Sequence, residues 1–251
     1  MSVLRVYKVG GPALEDASLL GPLAQELRRE DGRALLVHGG GPRINRMLQR
    51  LAIESRFVGG RRATSDEAME IVEMVLSGLV NKALAAGLTR EGVPAMGLSG
   101  RDAGLVRARL EPGVGRVGMP ESVDPRPLEA LWAAGLLPVV SPISTGPDGA
   151  AVNVNADEAA QGLALAVGAQ RLVYLSDVDG VRVGDATVET LHASEMQNLI
   201  DDGTIAGGMA LKVRVALDAV RAGIPEVVIA GKARLTGGFS GTRILATEVN
   251  A

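Results

Sequence analysis

VLRVYKVGG, from Val3 to Gly11, is a β-branched apolar run that stops at two glycines, and an amphipathic stretch rich in Leu and Glu follows between Asp16 and Glu30. Residues of the first kind suit a half-buried strand, the glycines permit a tight turn, and the spacing after them is helical. The unit recurs. ALLVH (Ala34 to His38) runs into three glycines and then PRINRMLQRLA, where Pro42 suits a first helical position. Repetition of strand, turn and helix predicts an α/β fold with a mostly parallel sheet covered by helices. Further strands are expected at VPAMGL, LLPVVSPI, RLVYLSD and EVVIA, each short, apolar and bounded by glycine, proline or acidic residues.

Two segments depart from this rhythm. Between Asp66 and Leu88 apolar residues cover more than one face of a long helix, which therefore has to be buried on two sides. A thick core and a subunit interface both satisfy that requirement. Between Leu105 and Asp124, alternating residues broken by Pro112-Gly113 and Gly115 predict a β-hairpin. A soft boundary near Val167 to Arg171 divides the chain into an amino-terminal lobe, 1–168, and a carboxy-terminal lobe, 169–251. The cleft between such lobes is the natural place for a ligand.

Composition narrows the function. A net charge of -3 with scattered Lys and Arg offers no footprint for nucleic acid, and five aromatic residues are too few for a base-stacking platform. Without cysteine there is no thiolate chemistry, and two histidines leave only oxygen-ligated metals such as magnesium. No apolar run reaches the roughly 18 residues of a membrane span, and no signal-peptide pattern precedes the first strand, so a cytoplasmic protein is expected.

The chemistry-bearing residues cluster at strand ends. Gly10-Gly11 and Gly39-Gly40-Gly41 lie where strands meet helices, and such turns let backbone N–H groups approach an anion beside a helix terminus. Neither is a Walker A loop. Lys8 ends an apolar strand, so its ammonium points into a cleft or out to solvent. Lys212 follows Gly207-Gly208-Met209 and opens the helix KVRVALDAVRAG, beside a flexible turn or in solvent. Arg61 and Arg62 follow Gly59-Gly60, where either can fork a carboxylate, and Thr64 or Ser65 can cap the long helix. Asn155 suits the cap of a helix with Asp157 in its first turn, which leaves Asn153 as a spare amide. His38, with no histidine or cysteine partner, suits packing or hydrogen bonding rather than catalysis.

Taken in order, KVGG, VHGGGP, ESRFVGGRRAT, EMVLSGLVNK, GLSGRDAG, NVNADEAA, LSDVDGV, DDGTIAGGMALK and GTRIL resemble the N-acetylglutamate kinases of the amino acid kinase family over essentially the whole chain. The resemblance implies a three-layer αβα fold, an amino-terminal lobe for the acyl amino acid, a carboxy-terminal lobe for ATP, and a homodimer through the long helix. It implies ATP- and Mg2+-dependent phosphorylation of the γ-carboxylate of N-acetyl-L-glutamate, in arginine biosynthesis. Lys8 and Lys212 would stabilise the transferring phosphoryl group, with Asp157 orienting them. Gly40, Gly41, Arg62 and Asn153 would hold the acyl amino acid. Gly10, Gly11, Ser176, Asp177, Gly180, Val181, Gly207 and Met209 would contact ATP. Arg61 fills a place where the family commonly has an apolar residue. Two alternatives share the fold: a kinase of carrier-bound aminoadipate in lysine biosynthesis, and a non-catalytic regulatory or storage protein. Arginine-inhibited relatives carry an extra amino-terminal helix, and a first strand beginning by Val3 leads to the expectation of an arginine-insensitive dimer.

Overall fold

The computed structural model describes residues 3–29, 33–176, 178–184, 186–205, 207–231 and 241–246. Its strands are β1 (Arg5–Val9), β2 (Ala34–His38), β3 (Arg56–Val58), β4 (Arg61–Ala63), β5 (Ala95–Ser99), β6 (Val106–Leu110), β7 (Val117–Val123), β8 (Leu137–Ser141), β9 (Ile143–Thr145), β10 (Ala151–Val154), β11 (Arg171–Ser176), β12 (Arg182–Val183), β13 (Ala186–Thr187), β14 (Thr190–His192), β15 (Glu226–Gly231) and β16 (Thr242–Leu245). The helices are α1 (Leu20–Arg29), α2 (Gly41–Arg50), α3 (Asp66–Glu73), α4 (Asn81–Arg90), α5 (Arg126–Ala133), α6 (Ala156–Ala166), α7 (Ala193–Asp201) and α8 (Gly207–Arg221).

Eight strands form one sheet in the order β14-β16-β15-β11-β1-β2-β8-β5. Six run parallel, and only β16, with β14 alongside it, runs the other way. Strands from before and after position 168 meet at the centre, where β1 pairs with β2 on one side and β11 on the other. Alternation along β1 sends Val6 into the core beneath α6 and α8, and Tyr7 and Val9 into the opposite core against α1 and α4. Helices on both faces of the sheet make the three-layer αβα sandwich that the resemblance implies.

The predicted hairpin between Leu105 and Asp124 is present as β6 and β7, with a bulge at Arg107/Ala108. It closes with β9 and β10 into a small barrel whose Val106, Ala108, Val152 and Val154 join the larger core. The barrel itself was not legible in the sequence, because β9 and β10 are too short to show a period. The expected strand at LLPVVSPI is divided by Pro142 into β8 and β9, since proline cannot donate to a ladder.

The long helix runs unbroken from Asp66 to Arg90, with a π-helical stretch Met74–Val80 joining α3 to α4. By length and composition it could cross a bilayer; half of its most apolar window is instead buried within the fold. Ser65 caps it, accepting from the Ala68 N–H. Its inner side packs Met69, Val72, Leu76, Val80, Leu84 and Leu88 into the cores, while Met74 and Leu79 are exposed.

Candidate functional site

The carboxyl ends of β1 and β11 open onto a cavity of about 580 Å³. Lys8, Gly10, Gly11, Asp157, Ser176 and Lys212 line it together, although they come from positions as distant as 8 and 212. Each arrives for a local reason. Lys8 shares the sheet face of Val6, but at the open end of the strand, where the alternation that buries Val6 aims a longer side chain at the cavity. Asp157 lies in the first turn of α6, whose cap is Asn155, the side-chain oxygen accepting from the Asp157 N–H at 2.8 Å. A carboxylate there is favoured by the helix dipole. Lys8 Nζ and Asp157 Oδ1 stand 2.7 Å apart. Lys212 falls in the second turn of α8 rather than at its start, because the helix begins at Gly207. The sequence pattern puts that start too late, since two glycines read as loop.

The cavity wall also includes residues beyond the lysines, Asp157 and the first glycine turn. Gly59, Gly60 and Arg61, at the tip of the β3–β4 hairpin, form part of the wall, as do Glu158 and Tyr174. Arg61 pairs with Glu158, so its charge is already compensated. The Tyr174 side chain comes from β11, in register with Lys8. Burial, with Asp157 and Asp218 nearby, holds its hydroxyl pKa well above the usual range. Among the described residues no group of three or more His, Asp or Glu could hold a metal ion. Both carboxylates of this cavity, Asp157 and Glu158, face cations instead.

The remaining candidates form two neighbouring groups. Gly40 and Gly41 open α2 and press against the first glycine turn: a Cβ added to Gly11 would come 2.9 Å from the Gly41 nitrogen and 3.3 Å from that of Gly40. Only glycine at position 11 allows the two turns to nest this closely. A second cavity, about 340 Å³, shares Gly11 with the first and is walled by Gly40, Leu14, Leu19, Val80 and Leu84. Arg62 and Asn153 are joined through Thr64, whose hydroxyl donates to the Arg62 carbonyl at 2.8 Å and accepts from Asn153 Nδ2 at 3.3 Å.

Arg62 is buried, on neither cavity wall, and stacked 4.7 Å over the Phe57 ring, with its guanidinium bonded to Asn45 and Ser55. These partners are all neutral. Desolvation accordingly pulls its pKa below the usual guanidinium value.

The nucleotide candidates after β11 are distributed differently. Gly180 and Val181 stand off the cavity wall, where the Val181 N–H donates to Thr242 Oγ1 at 2.7 Å. Gly207 opens α8, and Met209 packs against the core beneath it. Asp177 lies outside the described residues.

The sequence model of the amino acid kinase family matches residues 4–231. An acetylglutamate kinase of Rubrobacter xylanophilus is 43% identical over 244 residues, covering 95% of this chain and 94% of that protein. One from Geobacillus kaustophilus is 42% identical over 247 residues and covers 95% of each. Among solved structures, a Streptococcus mutans protein superposes with a TM-score of 0.83 at 27% identity, covering 97% of this chain and 98% of its own. Giardia carbamate kinase, at 18% identity and a TM-score of 0.72, covers 98% of this chain and 99% of its own and shares the fold. With the family match spanning nearly the whole sequence and these relatives aligned end to end, the chain belongs to the amino acid kinase family.

Proposed function

We propose that this protein transfers the γ-phosphoryl group of ATP to the γ-carboxylate of N-acetyl-L-glutamate, giving N-acetyl-L-glutamyl 5-phosphate and ADP, a step of arginine biosynthesis. The observation that carries this reading is the convergence of Lys8, Asp157 and Lys212 on one cavity beside the Gly10-Gly11 turn. The similarity to acetylglutamate kinases along the whole chain supports the choice of substrate.

The chemistry asks little of a general base. A side-chain carboxylate with an ordinary pKa of roughly 4.3 is already ionised near neutrality. Its oxygen attacks the γ-phosphorus while the bond to the bridging oxygen breaks and ADP leaves with the electron pair. The difficulty is repulsion between two anions, which preorganised cations and N–H donors relieve. Lys8, steadied by Asp157, and Lys212 would supply the cations, and Gly10 and Gly11 the donors. Magnesium would enter on the ATP phosphates, as that ion commonly does, because the cavity's own carboxylates are engaged with Lys8 and Arg61.

In this reading residues 1–168 hold the acyl amino acid through Gly40, Gly41, Arg62 and Asn153. Residues 169–251 hold ATP through Ser176, Asp177, Gly180, Val181, Gly207 and Met209. A homodimer through the long helix would cover the exposed Met74 and Leu79; a monomer in sedimentation at micromolar concentration would count against it. The protein would act in the cytoplasm, and a membrane-bound fraction after cell breakage would count against that.

Between the two arginines, charge balance supports Arg62 as the carboxylate ligand, although it is Arg61 that lies on the cavity wall. Arg61 is neutralised by Glu158, whereas Arg62 is a desolvated cation among neutral groups, the state an incoming anion stabilises most. Arg62→Lys is expected to raise KM for N-acetylglutamate about tenfold or more, the equivalent of one lost charged hydrogen bond. Arg61→Lys should stay within about threefold, because a lysine can still meet Glu158. The reverse order in steady-state kinetics would move the assignment to Arg61.

The direct test is ATP turnover with N-acetyl-L-glutamate, free glutamate and carrier-bound aminoadipate. Turnover with N-acetylglutamate alone is expected. Preference for the carrier-bound substrate would shift the protein to lysine biosynthesis, and no turnover with any of the three would leave a non-catalytic role.

A further inference from the structure

The second glycine turn is held from below by two fully buried polar side chains that no step above uses. His38 ends β2 and Asn81 opens α4, and neither has any exposed surface. Asn81 Nδ2 lies 3.2 Å from the Leu98 carbonyl oxygen, 2.8 Å from that of Val139 and 3.0 Å from His38 Nε2. Its Oδ1 accepts from Lys82 Nζ, which also donates to the Gly97 carbonyl at 2.5 Å. Carbonyls only accept, so the amide must turn its NH2 toward them and its oxygen toward the ammonium.

The Gly39 carbonyl, 2.9 Å from His38 Nδ1, only accepts, so Nδ1 carries the proton, and the neutral ring keeps a lone pair on Nε2, facing the Asn81 NH2 whose two hydrogens are shared among three acceptors. Burial pushes the His38 pKa down to about 4, so the neutral ring persists through the physiological range. The Gly39 carbonyl belongs to the same planar unit as the Gly40 N–H, and in a trans peptide the two point in opposite directions. Holding the oxygen toward His38 therefore turns the Gly40 N–H away from it. Gly11 stands close to that nitrogen, across the nested turns.

The π-helical stretch explains how Asn81 arrives there. Its wider turn adds a residue to the register, rotating the downstream helix α4 by about 100° relative to an uninterrupted α-helix. The same stretch brings Leu76 and Val80 against Gly40, where an added Cβ would meet them at 2.6 and 3.3 Å.

We propose that Asn81 and His38 are a positioning pair that orients the Gly39–Gly40 peptide, so that the Gly40 N–H is presented to a carboxylate-bearing acyl amino acid. The assignment of that ligand to this turn rests on the function proposed above.

Two substitutions separate the bonds. In His38→Asn the shorter amide can still donate to the Gly39 carbonyl, and Asn81 keeps both its hydrogens on Leu98 and Val139. In His38→Gln the side chain can still accept from Asn81, but the bond to Gly39 is lost. Both leave a smaller side chain in the core and lower the melting temperature, so stability alone does not distinguish them.

The expected result is a KM for N-acetylglutamate raised about tenfold in His38→Gln and less than about threefold in His38→Asn, with KM for ATP unchanged in both. A second readout needs no turnover: the imidazole nitrogen shifts of the wild-type protein should report Nδ1–H and unprotonated Nε2, and the Gly40 amide resonance should move in His38→Gln and not in His38→Asn. Equal changes in the two variants, or an Nε2–H tautomer, would overturn the positioning pair. Absence of N-acetylglutamate turnover in the wild type would overturn the functional reading, and the nitrogen and amide shifts would still decide whether the pair orients the peptide.

Discussion

Lys8→Ala and Lys212→Ala are each expected to lower turnover on the order of 100-fold or more, the loss typical when one preorganised donor is removed from a water-excluded site. Lys8 stands 2.7 Å from Asp157, so its removal also strips a counter-charge from a carboxylate on the cavity wall, where a phosphoryl group would approach. Lys8→Ala combined with Asp157→Asn should therefore recover part of the loss seen in Lys8→Ala. Saturating kcat with ATP and N-acetylglutamate measures this. A kcat near wild type in either single variant would remove that lysine from the mechanism.

The second large effect is on stability. Gly115→Ala is expected to cost about 3 kcal/mol or more, because it combines an unfavourable backbone conformation with a collision. Gly115 has φ +74°, and an added Cβ would press into the backbone carbonyl oxygen of Thr64. That contact cannot yield, since the Thr64 N–H donates to the Val114 carbonyl at 3.0 Å and the Arg116 N–H to the Thr64 carbonyl at 2.7 Å. Gly113 is the control: it has φ +77° but open space around it. Gly113→Ala should cost only the left-handed backbone, about 1 to 2 kcal/mol. For a chain of this size the corresponding falls in Tm are about 6–12 °C for Gly115→Ala and a few degrees for Gly113→Ala. Calorimetry that returned equal shifts would show that the Thr64 contact can relax. Because Thr64 also carries Asn153, the KM for N-acetylglutamate should rise in Gly115→Ala and not in Gly113→Ala.

His38 illustrates how sequence and structure divide the work. Read alone, it was a lone histidine at a strand end, suited to packing or hydrogen bonding, and the structure gives it both. Its partner was invisible, because Asn81 lies 43 residues away inside a helix whose register shifts by a residue that no local pattern announces. Arg61 and Arg62 show the same limit. Adjacent residues on a strand face opposite sides, but which side meets a cavity depends on where β3 and β4 are carried. Only the pairing of Arg61 with Glu158, and the burial of Arg62 near Asn45 and Ser55, separates them.

The sequence by itself determined the alternation of strand, glycine turn and helix, a cap at Thr64 or Ser65 and one at Asn155, the hairpin of β6 and β7, and the residue types that could meet an anion. These arise from interactions within a few residues: side-chain periodicity, the N–H groups left over at a helix start, and the φ range open to glycine. Tertiary structure alone decided the strand order, the closing of the small barrel, the register shift of the long helix through its π stretch, and the meeting of Lys8, Asp157 and Lys212 at one cavity. Those depend on contacts between residues far apart in the chain, where burial of apolar surface chooses among arrangements that local propensities leave equally open.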